Sequence, residues 1–254
     1  MRRLILAATL LVTLGLMASA NAVVFGQPDH NRHPEVGALL AHEAYSDGTW
    51  AACSGTLISP TVFLTAAHCN LGFRRVAVTF DPNYHAATDK TYWGTFHGNP
   101  GYNQRQSDPG DIAVVVFDHP ITSITPARLP KAHSLSNLSR GTKFTSVGYG
   151  AQAVTNGPGG HTYHYADIRY YGVGTLNTVT PSWLRISGNP AHGDAGTCYG
   201  DSGGPNFLGA GANETRIVAG TTITGDAICR ATNVDYRLDT SSARSFLAHY
   251  VRLP

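Results

Sequence analysis

Charge is scarce in this 254-residue chain: Asp, Glu, Lys and Arg make up 13% of it, where a globular protein ordinarily has about a quarter. So little charge argues against long solvated surface helices and coiled coils. The imbalance of charge is small as well. Lys and Arg number 18 against 16 Asp and Glu, and Arg2 and Arg3 sit in a leader-like stretch whose removal leaves 16 of each. A chain of formal charge zero lacks the positive field that binding to nucleic acid or an anionic membrane requires, so neither partner is expected. Beyond that leader no apolar run approaches the roughly 18 residues a membrane helix needs. Helical patterns of a dozen residues between strands are missing too, which counts against βαβ units and a parallel sheet. The 4 cysteines include no CxxC pair, so the usual half-site for structural zinc is absent.

The leader itself is well marked. Met1-Arg2-Arg3 is a positive start, Leu4 to Met17 is apolar, and Ala20-Asn21-Ala22 places small residues at the −3 and −1 positions of a signal-peptidase cut. About 14 apolar residues are too few to span roughly 30 Å of hydrocarbon, so residues 1–22 read as a signal peptide rather than an anchor. The remaining chain, residues 23–254, is expected to be secreted, soluble and monomeric. In an oxidising compartment its cysteines are expected to form two disulfides, with three pairings open. Bridges between sequence neighbours would contribute roughly 3 to 4 kcal/mol each by loop-entropy arithmetic.

Glycine (28) and proline (14) are scattered between short apolar runs, the pattern of an antiparallel sandwich or barrel. Six such runs, at 36–40, 55–58, 61–65, 76–80, 92–96 and 112–117, fall in the first half. A polar, Pro-containing connection follows over 120–141, and then come runs at 143–147, 163–171, 183–186, 216–223 and 234–238. Residues 151–162 are Gly-rich and read as a surface loop. One helix is expected near the end of the chain, capped by Ser241 or Ser242, with Phe246, Leu247, Tyr250 and Val251 on its apolar face.

Three short motifs carry chemistry. Thr65-Ala66-Ala67-His68-Cys69 sets a histidine among small residues beside a cysteine that can tether it. Gly110-Asp111-Ile112-Ala113-Val114 puts a carboxylate at the mouth of an apolar strand, where an unpaired charge would cost several kcal/mol. Gly200-Asp201-Ser202-Gly203-Gly204-Pro205 surrounds a serine with glycines that permit close backbone approach. Singly, each has an ordinary structural explanation. Together they supply a base, an orienting carboxylate and a nucleophile, the three parts that acyl transfer needs.

These motifs resemble the signatures of the chymotrypsin-like (trypsin-like) serine endopeptidases. Cys53-Ser54-Gly55-Thr56-Leu57-Ile58, Arg128-Leu129-Pro130 and Gly148-Tyr149-Gly150 are lesser landmarks of the same likeness. The resemblance implies an all-β fold of two six-stranded antiparallel barrels with a C-terminal α-helix. Residues 23–125 would form the barrel carrying His68 and Asp111, and residues 126–254 the one carrying Ser202 and the helix. It implies Ser202 as nucleophile, His68 as general base and acid, Asp111 as the residue orienting the imidazole, and the N–H groups of Gly200 and Ser202 as the oxyanion hole. It also implies the pairings Cys53 with Cys69 and Cys198 with Cys229. No cofactor or metal is implied: His161 and His164 lie in the Gly-rich segment without a third ligand, and no acidic loop calls for calcium. The partners implied are protein or peptide substrates and protein protease inhibitors. Two other readings keep the fold: a catalytically silent binding protein, and an esterase using the same three residues.

Two further points follow from the resemblance. Its members pair the aspartate before the serine with a newly made α-ammonium group; here Val23 begins the chain directly after the predicted cut and Asp201 is its expected partner. The primary pocket is expected to involve Gly196 at its base and Gly225 at its entrance. Gly196 removes the usual basis for recognising Lys or Arg, and Asp194 falls outside the pocket by the register that Cys198 sets. Of the far-wall residues, Asp235 turned inward would restore a basic preference and Val234 would narrow the pocket. The sequons at Asn137 and Asn213 await a glycosylating host.

Overall fold

The strongest apolar runs of the sequence are strands covered on both faces. In the computed structural model, which describes residues 23–254, Val62, Leu64 and Val114 face one hydrophobic cluster while Phe63, Val115 and Phe117 face another. The signal-peptide reading of residues 1–22 lies outside the described residues. The strands in chain order are β1 (Gln27–Pro28), β2 (Val36–Leu40), β3 (Ala51–Ser59), β4 (Val62–Thr65), β5 (Arg75–Thr79), β6 (Tyr92–Gly98), β7 (Ala113–Phe117), β8 (Lys143–Gly148), β9 (Ala153–Gly157), β10 (Gly160–His164), β11 (Tyr170–Val179), β12 (Trp183–Ser187), β13 (Pro205–Leu208), β14 (Val218–Gly225) and β15 (Thr232–Arg237), followed by one helix, α1 (Ser241–Leu247).

β2 to β7 close into an antiparallel barrel in the order β2-β3-β4-β7-β6-β5. Its interior holds Leu39, Leu57, Phe63, Val76, Val78 and Val115. The second barrel runs β11-β12-β15-β14-β13-β8 and closes through pairing of β8 with β11. A third cluster lies between them, joining Val36, Ile58, Val62 and Leu64 to Val147, Phe207, Val218 and Tyr236. Strands that wall a barrel and also face its neighbour lose the polar-apolar alternation of half-exposed strands, which is why they read as continuous apolar runs.

The chain ends cross over. β1 pairs with β11, so the first described residues are fastened to the second barrel. Phe246 and Leu247 of α1 belong to the cluster shared with the first barrel, and the Tyr250 ring lies 5.5 Å from that of His97 on β6.

At the seam between barrels sits Arg169, fully buried. Its Nε donates to Asp29 (2.8 Å), one terminal nitrogen donates to the carbonyls of Val36 (2.7 Å) and Phe80 (3.0 Å) and to the Tyr149 hydroxyl (3.2 Å), and the other to Asn31 (3.0 Å). Asp29 also accepts from His33 Nδ1, and His33 Nε2 meets Glu214 at 2.7 Å. Both ring nitrogens of His33 face carboxylates that only accept, so both carry protons. Burial alone would push this imidazole's pKa down, but its hydrogen bonds to Asp29 and Glu214 hold it above the ordinary value.

The structure corrects three expectations. Residues 151–162 are not an open loop: β9 and β10 form a hairpin in register from Ala153 opposite His164 to Gly157 opposite Gly160. Its polar sequence reflects solvent on most of both strands, while Val154 and Tyr163 pack against the Cys198–Cys229 bridge. The run 163–171 is divided between the end of β10 and the start of β11. Helix α1 is capped by Thr240, whose extended backbone lets its hydroxyl accept from the Ala243 N–H at 3.2 Å; Ser241 and Ser242 lie inside the first turn.

Candidate active site

Pairing of Thr65 on β4 with Ala113 on β7 brings the segments after one strand and before the other side by side. His68 lies on the 3₁₀ turn Ala67–Cys69 that follows β4, and a disulfide from Cys69 to Cys53 ties this turn back to β3. Asp111 immediately precedes β7 and is 2% exposed. Gly110 before it is in the left-handed region (φ 60°), and the Asn99 side chain donates to its carbonyl at 2.9 Å. Asp108 in the same loop accepts from the Tyr236 hydroxyl at 2.8 Å, anchoring the loop to the second barrel.

Asp111 holds His68 at two points. One carboxylate oxygen accepts from the His68 backbone N–H (3.0 Å), the other from Nδ1 (2.8 Å). Because an ionised carboxylate can only accept, Nδ1 must be the protonated nitrogen, and in the neutral ring Nε2 is left free as a base. His68 and Ser202 face one cleft of about 250 Å³, also lined by Thr197, Tyr199, Thr222 and Gly225. No direct hydrogen bond joins His68 to Ser202. Such contacts commonly tighten only when substrate is seated.

Ser202 is carried on a turn between two left-handed glycines, Gly200 (φ 94°) and Gly203 (φ 78°). A Cβ on Gly203 would lie 2.1 Å from the Thr65 hydroxyl, so this position has neither the torsion nor the space for a side chain. The turn is bound to the first barrel through Ser54: its N–H donates to the Ser202 carbonyl (2.8 Å), and its hydroxyl donates to the Gly200 carbonyl (2.9 Å) while accepting from Tyr149 N–H (2.9 Å). Among the described residues the N–H groups of Gly200 and Ser202 donate to no internal acceptor. In the sequence Ser54 is only one residue of the Cys53–Ile58 landmark, and nothing local marks it as the clamp.

Asp201 is 1% exposed and accepts from the N–H groups of Gly150 (2.9 Å) and Cys198 (2.8 Å). Burial pushes its carboxyl up to about 7 against the pull of those two donors. Among the described residues no Lys, Arg or His side chain pairs with it. Val23 is fully buried against Tyr170 and Ala195, and the carbonyl of Val24 accepts from the Gly196 N–H at 3.0 Å.

Gly225 lines the cleft, but Gly196 does not. It lies between the Val24 backbone and Cys229, and a Cβ there would meet the Cys229 carbonyl at 2.6 Å. Thr197 takes the lining position instead. The two disulfides are Cys53–Cys69 and Cys198–Cys229. Asp194 is buried away from the cleft, accepting from Thr175 (2.5 Å) and Lys143 (3.2 Å). Asp235 points into the second barrel, where Asn206 (2.6 Å) and Thr222 (3.3 Å) donate to one oxygen and the other has no partner. Burial pushes that carboxyl up to about 8. Val234 is buried on the opposite face of β15. His161 and His164 sit on the exposed β10 strand, each beside a β9 side chain, Asn156 and Thr155.

A family model described as trypsin matches residues 27–244. The snake venom serine protease serpentokallikrein-1 of Protobothrops mucrosquamatus is 28% identical over 215 residues, covering 79% of this chain and 78% of its own length. Brachyurin of Leptuca pugilator is 30% identical over 187 residues (70% of this chain, 78% of its own), and the alkaline C trypsin of Manduca sexta 27% over 201 residues (69% and 72%). With its paired six-stranded barrels and a match spanning most of its length, the chain belongs to the trypsin-like, chymotrypsin-fold family of serine proteases.

Proposed function

We propose that this chain is a secreted serine endopeptidase that cleaves peptide bonds through an acyl-enzyme. The observation that carries the reading is the two-point grip of Asp111 on His68, which leaves Nε2 as the free base in the cleft it shares with Ser202. Ser202 Oγ attacks the scissile carbonyl carbon as its proton passes to His68 Nε2. Asp111 stabilises the resulting imidazolium, and the N–H groups of Gly200 and Ser202 receive the oxyanion. Collapse expels the amine, protonated by His68; water then repeats the sequence on the ester and releases the acid. Labelling by an organophosphonate at Ser202, together with turnover of a peptide amide, tests it. A chain that resists the label is a silent binding protein, and one that is labelled but hydrolyses esters alone is an esterase.

The residue before the cut is uncharged in this reading. Gly196, Asp194 and Asp235 all lie away from the cleft, and the one carboxylate that lines it, Asp226, is taken up by the N–H groups of Arg230, Ala231 and Thr232, which supports it. Peptide substrates and protein inhibitors would present an extended strand to the cleft edge at Gly225. Cleavage profiling on a random peptide library checks the preference; selection for Lys or Arg would overturn it.

Asp201 is assigned the α-ammonium of Val23 as its partner, made when residues 1–22 are removed. A pH dependence follows. An acid whose folded pKa is raised to about 7 stabilises the fold fully below its unfolded value near 4, and that contribution is lost as pH rises through 7. A form retaining residues before Val23 should therefore lose thermal stability between pH 5 and pH 8. A form beginning at Val23, whose ammonium pairs with the carboxylate, should keep it. Asp235 affects both forms alike, so comparing their melting curves isolates Asp201; equal pH profiles would reject the pairing.

A further inference from the structure

Tyr199 stands on the lip of the cleft, 52% exposed, one residue before Gly200. A large aromatic ring left in solvent there is held by one neighbour in particular. The Tyr163 ring meets it edge-on, with centroids 4.7 Å apart and planes inclined at 66°, the favoured geometry of an aromatic pair. The hydroxyl of the same Tyr163 donates to the Ala227 carbonyl at 2.8 Å. Ala227 lies just beyond Gly225 and Asp226, which belong to a second chain segment that walls the cleft together with Tyr199. Tyr163 thus touches one wall with its ring and the other with its hydroxyl, 64 residues away in sequence.

The strut has a firm base. Tyr163 pairs with Val154 across the β9–β10 hairpin, and Val154, Tyr163 and Tyr165 pack with Cys198 and Cys229, whose bridge joins the same two walls at their root. The walls are therefore tied twice, covalently below and through Tyr163 above.

We propose that Tyr163 is a positioning residue that sets the width of the primary specificity pocket, holding Tyr199 and the 226–229 segment at the spacing that admits compact uncharged side chains and turns away bulky ones. This rests on the endopeptidase reading above. Tyr163 does not touch the reacting atoms; it acts through Tyr199 and Ala227. Selectivity arises because a pocket of fixed width loses contacts with smaller groups and clashes with larger ones, whereas a loosened pocket does neither sharply.

The test measures kcat and KM separately for a peptide series with Ala, Val, Leu or Phe before the scissile bond, on protein beginning at Val23. Tyr163→Phe keeps the ring and removes the hydroxyl. Its ratio of kcat/KM for Val over Phe is expected to fall about tenfold, as loss of one hydrogen bond would allow, mainly through KM. Tyr163→Ala should move the ratio further, and Tyr199→Ala in the same direction. Adding Tyr163→Phe to Tyr199→Ala should then change little. A uniform loss across the series would mark Tyr163 as merely structural and overturn the proposal, as would an unchanged ratio in active Tyr163→Phe. Wild-type protein that neither hydrolyses any peptide nor takes an organophosphonate label would overturn the endopeptidase reading, and this one with it.

Discussion

Replacing Ser202 with alanine is expected to lower kcat for peptide hydrolysis by a factor of about 10⁵ to 10⁶, with KM little changed. In the proposed mechanism the serine oxygen forms the covalent bond, so its removal takes away the acyl-enzyme route itself. His68→Ala should cost nearly as much, and the double variant hardly more, because the two groups act as one unit. Asp111→Asn should lose about 10⁴ by a different route. An asparagine that turns its amide toward Nδ1 stabilises the tautomer protonated at Nε2, which cannot accept the serine proton. Steady-state kinetics on one peptide amide, with folding verified by thermal melting, checks all four. Additive losses in the double variant would mean that His68 and Ser202 do not work together.

The largest effect on stability is expected from Arg169→Met. The guanidinium is 0% exposed and joins three parts of the molecule: Asp29 and Asn31 near the start of the chain, Val36 and Phe80 of the first barrel, and Tyr149 beside the second. Methionine fills much of the volume but leaves Asp29 with one cation where it had two, and strands two buried carbonyls. Removing one member of a buried ion pair typically costs about 3 to 5 kcal/mol, and equilibrium denaturation by urea should read a loss of this size. Lysine should not rescue it, since a single ammonium cannot reproduce a planar fork with partners on three sides. The exposed pair Arg75–Asp118 provides the contrast: Arg75→Ala should leave the denaturation midpoint where it was. A loss below about 1 kcal/mol for Arg169→Met would show that the seam is held by apolar packing alone.

Legibility in the sequence followed how local each cause was. β4 and β7 were plain because burial on both faces makes every residue but Thr65 apolar, and the three motifs were plain because their chemistry is confined to a few consecutive residues. The β9–β10 hairpin was hidden because its pairing keeps mostly polar groups, with only Val154 and Tyr163 giving its inner face. β13 is hidden for a related reason: Asn206 faces the inside of the barrel among Ser146, Thr222 and Asp235, so only the pair Phe207-Leu208 is left as an apolar run. Arg169 in Asp167-Ile168-Arg169-Tyr170 looks like a surface residue beside a strand, and only partners 20 to 140 positions away give it a role. Gly196 lies off the cleft because the Cys229 carbonyl closes off its side-chain direction, and that carbonyl is placed by how a distant loop folds.

The crossing of the chain ends has a consequence for damage. Residues 118–142 connect the barrels along an exposed path, the natural place for another protease to cut. A nick there would release neither half: the piece bearing the first barrel keeps hold of the second through β1 and Arg169, and the piece bearing the second keeps hold of the first through α1. Nicked protein should run as two fragments on a denaturing gel and elute as one particle from a sizing column. In a proteolytic milieu, the chain would outlast its own continuity.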